Sequence, residues 1–144
     1  MSGIDVKDLR RALVEAGLLV FRVKNGEVHL AERQNVQLME AGVRVLAGDT
    51  PAVTVVVRAQ RSDSPQKSPE VLLAIVRAQT APLRDAGYIE LEAASREIRS
   101  VSDPHQVVDV WHELTLRRPV TTREEAVTQA IFAMGTERYV VPTP

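Results

Sequence analysis

Three histidines, His29, His105 and His112, are the side chains of this 144-residue chain best suited to proton transfer or metal ligation. Neither HxH nor HExxH spacing occurs among them, so a metal site would have to be assembled from distant strands. There is no cysteine, which excludes thiolate zinc sites, disulfides and thiol nucleophiles. His112-Glu113 beside Trp111 has the residue types of an acid/base pair, but neighbours on a strand point to opposite faces, and no second part of a catalytic constellation is visible. Of Ser62, Ser64, Ser68, Ser95, Ser100 and Ser102, none stands in Gly-x-Ser-x-Gly, so acyl transfer has no support. Glu90 and Glu92 have the spacing of paired carboxylates on one strand face. With Ile89 and Leu91 alternating against them, they read as the wet side of an amphipathic strand. No Gly-rich strand-to-helix turn is present to cradle a phosphate. The expectation is a chain with no catalytic residues, no cofactor, no metal and no small-molecule substrate.

Charge and aromatic content narrow the partners. Eighteen Lys and Arg stand against nineteen Asp and Glu, a formal net charge of -1, and only Phe21, Tyr88, Trp111, Phe132 and Tyr139 are aromatic. No overall positive field and little stacking surface are offered to a nucleic acid, so no specific nucleic-acid contact is expected. The basic doublets Arg10-Arg11 and Arg117-Arg118 read as solvated faces or as partners for acids of a neighbouring chain. The apolar tail Tyr139-Val140-Val141 is suited to pairing with another chain. These seven residues are the candidate partner contacts. No segment approaches the roughly 20 apolar residues of a membrane span, and the run Gly17 to Phe21 is too short and too late for a signal peptide. A chain made in the cytoplasm, without membrane contact, is expected.

The elements that would position these residues follow from periodicity. Val6, Leu9, Ala12, Leu13 and Ala16 form one helical stripe ending at Gly17. Asn25-Gly26 between Leu18–Val23 and Val28–Glu32 is a hairpin signal. Arg33 to Ala47 is ambiguous: Val36, Met39, Val43 and Leu46 fit a helix, whereas Val36 and Leu38 followed by Val43 and Val45 fit two short strands around Ala41-Gly42. Pro51 to Gln60 is dense in β-branched residues and reads as the central strand. Arg61 to Ser68 is a polar, mobile loop. Ser68-Pro69-Glu70 opens a second helix with face Leu72, Ile75, Val76 and Gln79, which Pro82 kinks or interrupts. Tyr88–Ala93 and Arg96–Val101 read as strand, and Val108, Val110, His112, Leu114 and Leu116 alternate as a long strand. Thr122 to Glu125 is a capping box for a final helix to Gly135.

The chain is therefore expected to be one α+β domain over residues 1–144, with a polar loop at 61–68 and an extended C-terminal tail at 136–144. The order α-β-β-(ambiguous)-β-α-β-β-α implies a largely antiparallel sheet with helices packed on one face.

In size and order the chain resembles the tail-terminator and tail-completion (neck) proteins of long-tailed phages. The likeness rests on the N-terminal helix (Asp5 to Ala16), the hairpin, the strand entered through Asp49-Thr50-Pro51-Ala52-Val53-Thr54-Val55, and then Ser68 to Ala86 with Tyr88 to Arg118. It covers about residues 5–118, leaving the helix Thr122 to Met134 and the tail outside. It implies a ring, usually hexameric, that caps the tail tube and joins the head connector in a virion or phage-like particle, with no catalytic residues. The chain is also similar to type III secretion chaperones, which run helix, three strands, helix, two strands, helix. That likeness accounts for the final helix, although those chaperones are markedly acidic; it implies a homodimer wrapping an extended client segment. Both imply a non-enzymatic protein whose partners are copies of itself and other proteins. A third alternative, a small enzyme or ligand-binding domain, requires a pocket gathering His112 or Glu113 with another titratable group.

Overall fold

In the computed structural model, which describes residues 3–141, Asp5 starts the first helix by accepting the Asp8 backbone N–H at 3.1 Å. This helix, α1 (Val6–Glu15), buries Leu9 and Leu13 on one side, and the chain leaves it through Gly17 at φ +91°, a conformation that glycine adopts without a Cβ penalty. Strands β1 (Leu19–Lys24) and β2 (Glu27–Gln34) form the expected hairpin, with Asn25 at φ 52° and Gly26 at φ 76°. Next come β3 (Gln37–Leu46) and β4 (Ala52–Gln60), then α2 (Pro69–Gln79) and the short α3 (Ala81–Asp85). β5 (Ile89–Arg99), β6 (Val107–Pro119) and α4 (Arg123–Met134) complete the chain. The six strands form one sheet in the order β1-β2-β3-β4-β6-β5, so the protein is α+β with an antiparallel sheet.

The ambiguous 33–47 segment is strand. Asn35 takes φ 57° and turns β2 directly into β3, a left-handed position that asparagine tolerates and that needs no glycine. The two half-strands seen in the sequence are one strand with a bulge: His29 pairs with Arg44 and Ala31 with Glu40, so the extra residues of β3 lie around Gly42, at φ 79°. Helical spacing loses here because Val43 and Val45 gain burial as strand residues beside Val28.

The chain divides into two compact units. The first comprises residues 1–55 and 117–136. Within it α1 and α4 pack against each other, α1 on β1 and β2 and α4 on β3, burying Leu9, Leu13, Val28, Leu30, Val43, Val45 and the alanines 126, 130 and 133. Three alanines on α4 allow close approach of its backbone. Thr122 caps α4 by accepting the Glu125 N–H at 3.1 Å, and Glu125 accepts the Thr121 N–H at 2.7 Å.

The second unit comprises residues 56–116 and 137–144, with Val57, Leu72, Val76, Leu83, Tyr88, Leu114 and Leu116 in its core. Ser68 caps α2 by accepting the Val71 N–H, and the helix breaks at Thr80 before Pro82, as expected. Two readings need correction here. The 61–68 loop is tied down: Arg61–Asp63 is a 3-10 turn, Ser64 is buried, and Ser62 is bonded to Asp109. On β5, Ile89 and Leu91 are exposed, at 68% and 60%, as is Glu92, while Glu90 is partly covered by Arg77 and Arg84. The alternation is real, but Arg77 of α2 and Arg84 of α3 reach the Glu90 face of the strand, and Ile89 and Leu91 stand on the opposite face.

Candidate interaction surfaces

The C-terminal segment is docked. Arg58 donates its backbone N–H to Arg138 O at 2.9 Å, and Val140 donates to Arg58 O at 2.8 Å, so Tyr139 forms an isolated parallel bridge with Arg58 of β4. Val140 is 8% exposed and belongs to the core of its unit, whereas Val141 and Tyr139 keep substantial surface. Tyr139 shares its single phenol O–H between two acceptors, Gln60 Oε1 at 2.8 Å and the Asp63 carboxylate. Burial, and next the hydrogen bond to Asp63, push its pKa well above the ordinary tyrosine value. The Arg58 guanidinium lies 4.0 Å from the Trp111 ring centroid and 6.0 Å from that of Tyr139, and Gln79 Nε2 donates to Glu137 at 2.7 Å. Of the three candidate tail residues, Val140 is thus occupied within its own chain. Residues 142–144 of the expected tail lie outside the described residues.

In the same unit His112, 2% exposed, bonds through Nδ1 to Ser95 Oγ at 2.9 Å. Burial and the Arg61 charge hold its pKa below 6.5. Asp109 gives both oxygens to Ser62, accepting from Oγ at 2.7 Å and from the backbone N–H at 3.0 Å. Partial burial works to raise this carboxyl, but the bonds from Ser62 and the Val110 N–H outweigh it and leave it below the ordinary range. Glu113 pairs with Arg96 at 3.4 Å. His112 and Glu113 therefore belong to two separate pairs on alternate faces of β6. Glu90 sits between Arg77 and Arg84, whose hydrogen bonds, Arg77's first, hold its carboxyl low.

In the first unit the sequence reading missed a polar layer. Val28 and Leu30 face the helices, so Glu27 and His29 share the other face of β2. Arg22 Nε donates to His29 Nδ1 at 2.9 Å, and Glu27 Oε1 lies 3.2 Å from His29 Nε2. Arg44 donates to Glu40 Oε1 at 3.0 and 2.8 Å. Residues four apart on a regular strand are about 13 Å apart. The bulge at Gly42 draws Glu40 and Arg44 together, and together these groups leave His29 only 2% exposed. The pairing register that assembles them is not readable from a sequence.

Arg10 and Arg11 lie exposed on α1, where they line an open groove of about 440 Å³ with Lys7, Val14 and Glu15. Arg11 is 3.6 Å from Asp8. Arg118 reaches Glu125 at 3.5 Å, and Arg117 is partly covered. Apolar surface is spread over several elements, with Val101 and Val36 the most exposed, and includes both strands that end the sheet. Leu19, Phe21 and Val23 stand half-exposed on β1, and Ile89 and Leu91 stand out on β5.

Among the described residues no group of three or more His, Asp or Glu side chains is placed to hold a metal ion, and no helix is long and apolar enough to cross a membrane. Comparison of the chain with protein-family models, with curated proteins and with solved structures finds no match.

Proposed function

We propose that this chain is a structural subunit of a multi-chain assembly that joins neighbours through its sheet edges, in the form of the ring of a phage-like tail terminator or head–tail connector. One observation carries the reading: the sheet ends in two edge strands, β1 and β5, each with unpaired backbone groups and exposed apolar side chains. Such edges are templates for pairing with another chain, and proteins that act alone shorten, cover or twist them. The eleven residues of β5 are long for an edge that has no partner. A chain with two open edges can meet two neighbours, as each copy in a ring must. Near-neutral net charge suits copies packed side by side.

A second reading, a two-fold dimer in the manner of the type III secretion chaperones, is favoured by α4, which packs on α1 and β3 and lies outside the likeness to the tail proteins. Sedimentation equilibrium up to high concentration tests both. A closed ring of five or more copies supports the first, a stable dimer the second, and a strict monomer refutes the assembly reading.

A further inference from the structure

The edge strand β5 carries its charges in two blocks. Glu90 and Glu92 lie in its N-terminal half and Arg96 and Arg99 in its C-terminal half, with Glu97 engaged by Arg99 at 2.8 Å. Charges on an edge ordinarily discourage pairing, because a copy laid alongside meets like with like. Segregated blocks reverse that outcome for one geometry. When two copies of β5 lie antiparallel, the acidic half of each faces the basic half of the other.

From this we infer that β5 is a self-recognition edge, which pairs antiparallel with β5 of a second copy about a two-fold axis passing beside Ala94. This register sets Glu92 of each copy opposite Arg96 of the other, so the contact is made twice. Glu92 and Arg96 are four residues apart and so share one face of a regular strand. Among the described residues Glu92 makes no ion pair, while Arg96 is two-thirds exposed and holds Glu113 by a single contact. Glu90 is already engaged by Arg77 and Arg84, which leaves Glu92 as the free acid of the strand. The inference rests on the assembly reading and names the partner at this edge, and it leaves β1 open. The β5 contact is then the whole interface of a dimer, or one of two interfaces in a ring of dihedral symmetry.

The test is a charge swap read by sedimentation. Glu92→Arg and Arg96→Glu, each counted twice at a two-fold contact, should each raise the dissociation constant roughly tenfold or more. The double variant E92R/R96E should restore association. Glu113→Gln breaks the intrachain pair alone and should leave association unchanged. Because the chain has no cysteine, Ala94→Cys should oxidise to a covalent dimer at protein concentrations where a control, Val36→Cys at an exposed turn, does not. A strict monomer would remove the assembly reading and this inference with it. An oligomer indifferent to both charge reversals, or one in which A94C fails to cross-link, would overturn the β5 contact and leave the assembly reading standing.

Discussion

Replacing Tyr139 with phenylalanine should undock the C-terminal segment while leaving the rest of the protein folded. The magnitude follows from the contacts of residues 137–141. Two main-chain bonds to Arg58 contribute about 1 kcal/mol each, and burial of Val140 contributes about 1.5 kcal/mol. The phenol bonds to Gln60 and Asp63 contribute about 1 kcal/mol once their partial exposure is allowed for. Against this, ordering five residues costs about 1 kcal/mol each. Gain and cost cancel to within about 1 kcal/mol, so the docked segment is finely balanced. Losing about 1 kcal/mol from the phenol shifts the docking equilibrium about fivefold. Amide hydrogen exchange reads this locally. With docking near balance, the Arg58 and Val140 amides, which donate across the contact, start with only about twofold protection from it and should lose nearly all of that, while amides in the β2–β3 pairing stay unchanged. Denaturant unfolding should move by less than about 0.5 kcal/mol. Equal loss of protection throughout the chain would show that the segment is part of the cooperative core. No loss at Arg58 and Val140 would show that the phenol bonds contribute nothing.

Two further outcomes are expected. His112 has its pKa depressed in the folded state, so folding disfavours its protonation; the unfolded chain binds more protons, and stability must rise with pH. That stability is full above pH 6.5, the ordinary value, and is lost as pH falls through it toward the lower folded value; the slope of the denaturation midpoint should vanish in His112→Asn, and a slope of opposite sign would refute the assignment. Thr122→Ala should cost about 1 kcal/mol by removing the cap of α4, with Thr122→Ser restoring most of it in urea denaturation.

Local rules act within a few residues, and those features were legible. The Ser68 and Thr122 caps, the Asn25-Gly26 hairpin, the break before Pro82 and the alternation of β6 all follow from backbone preferences and side-chain period. Composition by itself disposed of thiol chemistry and of a strong nucleic-acid field, since neither depends on where the residues sit in space. Segment 33–47 resisted because Val and Leu spacing over so short a run fits both periods, and the decision lay with β2, whose pairing makes it a bulged strand.

The side-chain clusters were decided by tertiary structure alone. Ser62 meets Asp109 across 47 positions and Asp63 meets Tyr139 across 76, separations at which sequence pattern carries no information about distance. The layer around His29 depends on the register of three strands and on a bulge, and a shift of one residue would send those charges to the opposite face. The same reason inverted the reading of β5. Alternation identified the two faces of Ile89, Glu90, Leu91 and Glu92, but which face is wet depends on what stands beside the strand. Here Arg77 and Arg84 of the helices reach the Glu90 face, so the face that carries Ile89 and Leu91 stays exposed.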